Sequence, residues 1–129
     1  MVAEGLGHLL NDDQQQTPAQ RVANSRLLQE ARDILYAEYK NPPSITTLCK
    51  RIGTNPFKLK QLFREHLNTT PYGFLMDIRM QHAAKLLKNR EMPINLIAEA
   101  VGYQHPGNFS AAFSRYFGSS PKTLKKQGL

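Results

Sequence analysis

Apolar positions recur at helical spacing along most of this chain, and from Ile45 onward the pattern is written twice. Ile45, Leu48, Ile52 and Gly53 lead into Leu59, Leu62, Phe63, Thr70 and Pro71. Ile94, Ile97, Val101 and Gly102 lead into Phe109, Ala112, Phe113, Ser120 and Pro121. The copies are offset by 49 residues up to the glycine and by 50 after it, so the second has one extra residue between Gly102 and Phe109. Each copy is a short apolar-periodic stretch, a glycine, a polar break containing proline, and a second apolar-periodic stretch. That is the sequence form of a helix-turn-helix.

The rest of the chain fills in around the repeats. Asn11 to Gln16, followed by Thr17 and Pro18, is a polar run that buries no face, so residues 1–22 are expected to be a flexible leader or linker. Leu27, Leu28, Ala31, Ile34 and Leu35 then predict an amphipathic helix, with Asn24 or Ser25 as its N-cap and a stop by Asn41 before Pro42 and Pro43. Ser44 is the predicted cap of the first repeat, Gly53 ends its leading helix in a left-handed conformation, and Asn55 with Pro56 opens its second helix. Thr70 and Pro71 cap a long helix from about Tyr72 to Lys88, whose apolar positions are Phe74, Leu75, Ile78, Ala83, Leu86 and Leu87. At ~1.5 Å per residue this rod is about 25 Å long, a rigid spacer suited to two heads one DNA turn (~34 Å) apart. A heptad dimerisation helix is the rival reading, weakened by the shortness of the apolar stretch. The second repeat starts at Pro93, turns at Gly102 and opens its second helix near Pro106, with Phe109, Ala112, Phe113 and Phe117 inward. A last short helix, capped by Ser120 and Pro121, carries Lys122, Lys125 and Lys126.

The expected fold is therefore all-α, about seven helices forming two helix-turn-helix subdomains joined by a long central helix. The domain is expected over residues 23–129, with the first unit at about 44–67, the linker helix at about 71–89 and the second unit at about 93–118.

Charge narrows the partner. Residues 41–129 carry thirteen basic side chains against four acidic ones, a net of +9, whereas residues 1–40 carry four against six. Such a cationic domain is the electrostatic footprint of a polyanion partner. Charge alone does not separate DNA from RNA or an anionic membrane, but no aromatic strand platform or KH-type glycine loop supports RNA. No run approaches the ~18 apolar residues of a membrane span and the start lacks the regions of a signal peptide, so a soluble, cytoplasmic protein without membrane contact is expected. His8, His66, His82 and His105 are scattered, with no i,i+4 pair and no cysteine partners, which argues against a metal site. Without a glycine-rich phosphate loop or a triad pattern, neither an enzyme nor a cofactor is expected. The single cysteine, Cys49, reads as a small, partly buried filler.

The second helix of each repeat presents a face away from its inward stripe. In the first repeat this face holds Phe57, Lys60, Gln61 and Arg64. Arginine and lysine can bond guanine or phosphate, glutamine can pair with adenine, and an exposed phenyl ring can rest on a thymine methyl. In the second repeat it holds Gly107, Asn108, Ala111 and Arg115, where only Asn108 suits a base edge and Arg115 suits a phosphate. The partner predicted from these faces is double-stranded DNA, gripped twice.

The same residues carry a family resemblance. Asn55-Pro56 with Leu59 and Leu62-Phe63; Thr70-Pro71 with Phe74; Arg79-Met80, Ala83 and Leu86-Leu87; Pro93-Ile94, Ile97-Ala98 and Val101-Gly102-Tyr103; and Asn108-Phe109, Phe113, Arg115, Phe117-Gly118 and Ser120-Pro121 are together specific. Over about residues 23 to 127 the chain resembles the DNA-binding domain of the AraC/XylS family of bacterial transcription activators, down to the longer turn of the second repeat. The resemblance implies seven helices in which two helix-turn-helix units enter successive major grooves on one face of the DNA. It places the family's base readers on Phe57, Lys60, Gln61 and Arg64 in the first unit. In the second unit they fall on Gly107, Asn108 and Ala111, where polar or basic side chains are more usual, so weaker base reading is expected there. It further implies activation, RNA polymerase as a partner, and an effector-binding or dimerisation domain upstream in the full-length protein. The leader is too short to be that domain; it is expected to be a severed linker, with Leu6, Leu9 and Leu10 the end of an upstream helix, rather than the start of a complete small regulator. The alternative class is the DNA-binding portion of a recombinase or transposase whose catalytic part is absent.

Overall fold

The computed structural model describes residues 16–89 and 91–127; the apolar patch at Leu6, Leu9 and Leu10 lies outside them. These residues form seven α-helices: α1 (Pro18–Ala37), α2 (Ile45–Ile52), α3 (Pro56–Leu67), α4 (Pro71–Leu87), α5 (Ile94–Ala100), α6 (Pro106–Phe117) and α7 (Pro121–Lys126). The all-α architecture read from the sequence is the one observed, with α2–α3 and α5–α6 as the two helix-turn-helix pairs.

Capping chemistry sets most boundaries where expected. Ser44, Asn55, Thr70 and Ser120 each accept a backbone N–H from three residues on, and proline follows Asn55, Thr70 and Ser120 directly. The start of α1 differs. Its N-cap is Thr17, in a reciprocal box with Gln20, and not Asn24 or Ser25; residues 18–22, expected in the leader, are helical. Those first turns are solvent-exposed and show no apolar stripe, so periodicity misses them, while Asn24 lies buried within the helix.

Two apolar cores share α4. Leu27, Leu28, Ala31 and Leu35 of α1 pack with Leu48, Cys49 and Ile52 of α2, Leu59, Leu62 and Phe63 of α3, and Ile78 of α4. Met80, Ala83 and Leu87 of α4 pack with Ile97 and Ala98 of α5, Val101, and Phe109 and Phe113 of α6. Phe117, expected to point inward, is 38% exposed: it is the last residue of α6, before the left-handed Gly118, and its ring lies tilted against Phe113 at 4.5 Å. Outside the cores, the Arg51 guanidinium forks onto Glu38 at 2.8 and 2.6 Å, tying α2 to the end of α1 and holding the Glu38 carboxyl below its ordinary pKa. Lys125 of α7 donates to the Met92 carbonyl ahead of α5.

A joint at the middle fixes one unit against the other. The Tyr39 ring contacts both cores and stacks on His82 of α4 at 4.5 Å, while its carbonyl accepts from Arg79 Nε at 2.9 Å. The Arg79 guanidinium lies over the Tyr103 ring, 5.1 Å from its centroid, and the Tyr103 hydroxyl donates to Met76 Sδ at 3.5 Å. Gly102 completes the joint: with φ of +99°, it sits where a Cβ would come within 2.6 Å of the Lys40 carbonyl oxygen.

Cys49 is deeper than a partly buried filler, only 2% exposed, and burial raises its thiol pKa. A disulfide reagent that modifies thiolates is therefore expected to label native Cys49 much more slowly than the urea-unfolded chain. Equal rates in the two states would show that the first core opens freely.

Candidate nucleic-acid interface

Helix α3 is amphipathic because Leu59, Leu62 and Phe63 recur at three- and four-residue spacing, and all three are buried. Its other side is thereby turned to solvent. Phe57 is 81% exposed, a large apolar ring left uncovered in the first turn; Lys60 and Arg64 are exposed and Gln61 is half-buried. The Gln61 amide donates to Glu65 Oε1 at 3.0 Å, a partner on the same face that spacing alone did not single out. The i,i+4 relation of Gln61 and Glu65 was the available signal.

Helix α6 repeats the arrangement with less chemistry. Phe109 and Phe113 are fully buried, and Gly107, Asn108, Ala111 and Arg115 are all exposed. His105 stands at the N-cap without a side-chain cap bond, where Asn55 of the first unit accepts from Lys58 at 2.9 Å. A Cβ at Gly107 would meet nothing within 4 Å, so that part of the helix surface is bare backbone.

The bond that closes each turn, from the residue after the glycine, is equivalent in sequence. Thr54 N–H returns to the Cys49 carbonyl and Tyr103 N–H to the Ala98 carbonyl, both at 2.9 Å. Gly53 and Gly102 both have positive φ, and the extra residue of the second repeat falls after this closure. Each second helix is 12 residues long and ends on a left-handed residue, Asn68 or Gly118. The repeat in the sequence is thus a repeat in the backbone.

Between α3 and α6 runs a saddle floored by α4. A cleft on one side is lined by Lys60 of α3 with Ile45, Leu48, Tyr72, Leu75 and Arg79. A cleft on the other is lined by Asn108, Ala111 and Arg115 of α6 with Tyr72, Met76 and Tyr103. Tyr72 belongs to both, so the structure brings flanks of the two faces to either side of one exposed tyrosine. Burial raises the pKa of Tyr103 at this edge, against the opposing pull of Arg79. Among the described residues no cluster of histidine, cysteine and carboxylate could hold a metal ion, and no helix is long and apolar enough to cross a membrane.

A pair of backbone-equivalent helix-turn-helix units on a basic chain defines a class, and comparison with known proteins gives the family. Residues 48–127 match the model of a helix-turn-helix domain family. The chain is 35% identical over 88 residues to the HTH-type transcriptional regulator GlxA of Rhizobium meliloti, covering 68% of this chain and 27% of that protein. It is 32% identical over 102 residues to the HTH-type transcriptional regulator CdhR of Pseudomonas aeruginosa, covering 78% and 30%. Among solved structures, the C-terminal domain of AraT, a response regulator from Geobacillus stearothermophilus, superposes with a TM-score of 0.73 at 28% identity, covering 78% of this chain and 84% of that one. An AraC-type DNA-binding-domain regulator from Chromobacterium violaceum superposes with a TM-score of 0.71 at 25% identity, covering 79% and 91%. The chain belongs to the AraC/XylS family of helix-turn-helix transcription regulators and carries its DNA-binding fold. It spans about a third or less of the length of GlxA and CdhR.

Proposed function

We propose that this domain binds a two-part operator by laying α3 and α6 into successive major grooves, with Phe57, Lys60, Gln61 and Arg64 as the main base readers and Asn108 and Arg115 as secondary contacts. The observation that carries this reading is the exposed face of α3, where an uncovered phenyl ring stands beside two cations and an amide on a helix otherwise committed to the core. Gly107 and Ala111 admit close approach of backbone to DNA but offer no side-chain hydrogen bond. In the full-length protein we assign the domain the role of a transcription activator that contacts RNA polymerase, under control of an effector-binding or dimerisation domain on the same polypeptide. The family resemblance and the greater length of the relatives support that assignment.

The test is to recover bound fragments from sheared genomic DNA and then to titrate a recovered site against salt. A limited set of fragments is expected, sharing two half-sites about 10.5 base pairs apart. Affinity should fall by about 0.9 log unit per log unit of salt for each phosphate neutralised, so several contacts give a steep line. Indiscriminate recovery, or a flat salt response, would refute the reading.

A further inference from the structure

We propose that Tyr72 is a DNA-backbone contact set between the two reading heads, its hydroxyl donating to a phosphate beside the minor groove that separates the two half-sites. This rests on the reading of α3 and α6 as the heads. Tyr72 is 69% exposed although it lies on the helix that links both cores, and among the described residues it is the one shared by the Lys60 cleft and the Asn108–Arg115 cleft. When helices on either side occupy major grooves one turn apart, the surface between them faces the intervening minor groove and its flanking phosphates.

The other residues of the saddle floor are committed elsewhere. Arg79 donates to the Tyr39 carbonyl and covers the Tyr103 ring, Met76 accepts from the Tyr103 hydroxyl, and Leu75 is buried. Among the described residues of α4 that line the two clefts, Tyr72 is the exposed one with a hydroxyl to donate. Lys60 on one rim and Arg115 on the other make the saddle attractive to a polyanion along the line that joins the two faces. A neutral phenol at this place binds a phosphate without neutralising it, which gives the contact a signature distinct from that of a lysine.

The experiment compares wild type, Tyr72→Phe, Tyr72→Lys and Lys60→Ala on a fluorescein-labelled duplex carrying a genomically recovered site, titrated at several salt concentrations. The exposure of Tyr72 makes all its variants fold-compatible, which circular dichroism checks. Tyr72→Phe is expected to weaken binding about tenfold with the salt slope unchanged. Tyr72→Lys is expected to steepen the slope by about 0.9, one further phosphate neutralised. Wild-type affinity in Tyr72→Phe, or an unchanged slope in Tyr72→Lys, overturns the proposal. Lys60→Ala reports on the underlying reading: if it has lost affinity in the same titrations, the heads stand and only the role of Tyr72 falls.

Discussion

Gly102→Ala is expected to cost roughly 2–5 kcal/mol and so lower the melting temperature by about 8 °C or more, while Gly53→Ala, at the same place in the other repeat, costs only about 1–2 kcal/mol. Both glycines have positive φ, +99° and +81°, so each alanine incurs the strain of a left-handed L-residue. The surroundings differ. A Cβ at Gly53 meets nothing within 4 Å, whereas at Gly102 it meets the Lys40 carbonyl oxygen at 2.6 Å, Lys40 Cα at 2.9 Å and Arg79 Nη2 at 3.0 Å. Two of those atoms are backbone and cannot turn aside, so overpacking adds roughly 1–3 kcal/mol. The displaced segment is the joint between the units, so DNA affinity should fall further than lost stability alone explains. Thermal melts of both variants followed by circular dichroism, with DNA titrations well below each midpoint, make the comparison. Equal shifts for the two glycines would show that the joint yields without cost.

That asymmetry also marks the limit of what the sequence discloses. The two helix-turn-helix units, their glycine turns and four side-chain caps are legible because each is local: spacing, a cap residue and a proline within a few positions determine them. Structure at a distance is not. Met80 is fully buried yet falls off the stripe read along α4, because that helix serves two cores on different sides, Ile78 to one and Met80 to the other. The positions read from the sequence already draw on both sides, Ile78 from one core and Ala83 and Leu87 from the other, and with apolar residues on both sides no single stripe singles out Met80. The early start of α1 was written in Thr17, Pro18 and Gln20, but those signals sit in a polar stretch without periodicity. The contact of Gly102 with Lys40 joins residues in different units, and the position of Tyr72 between both heads exists only once α3, α4 and α6 are assembled. The candidate base-reading residues were accessible to spacing because they are what remains of each helix after its core positions are removed.

Substitutions in α3 are expected to relax sequence preference in one half of the operator, and the comparable substitution in α6 to leave preference unchanged. Lys60, Gln61 and Arg64 can all direct hydrogen bonds at base edges, and losing a good bidentate contact costs ~1–3 kcal/mol of discrimination, roughly five- to 150-fold. In the free domain Gln61 is already held along the face by Glu65 at 3.0 Å, so its amide is partly ordered before it meets a base. Helix α6 has no side-chain N-cap bond and presents Gly107 and Ala111 where side-chain donors would be needed, leaving Asn108 and Arg115. Gln61→Ala or Arg64→Ala should therefore flatten preference at a few adjacent positions of one half-site, while Ala111→Ser changes little. On the proposed reading, α6 is expected to contribute mainly phosphate contacts, lengthening the footprint and holding α3 in register. A base-by-base substitution scan of a recovered site, run with wild type and the three variants, measures this directly. Equal sensitivity of wild type to changes in both half-sites, or undiminished preference in both α3 variants, would mean that the heads read alike and that the chemistry missing from the α6 side chains is supplied by its backbone.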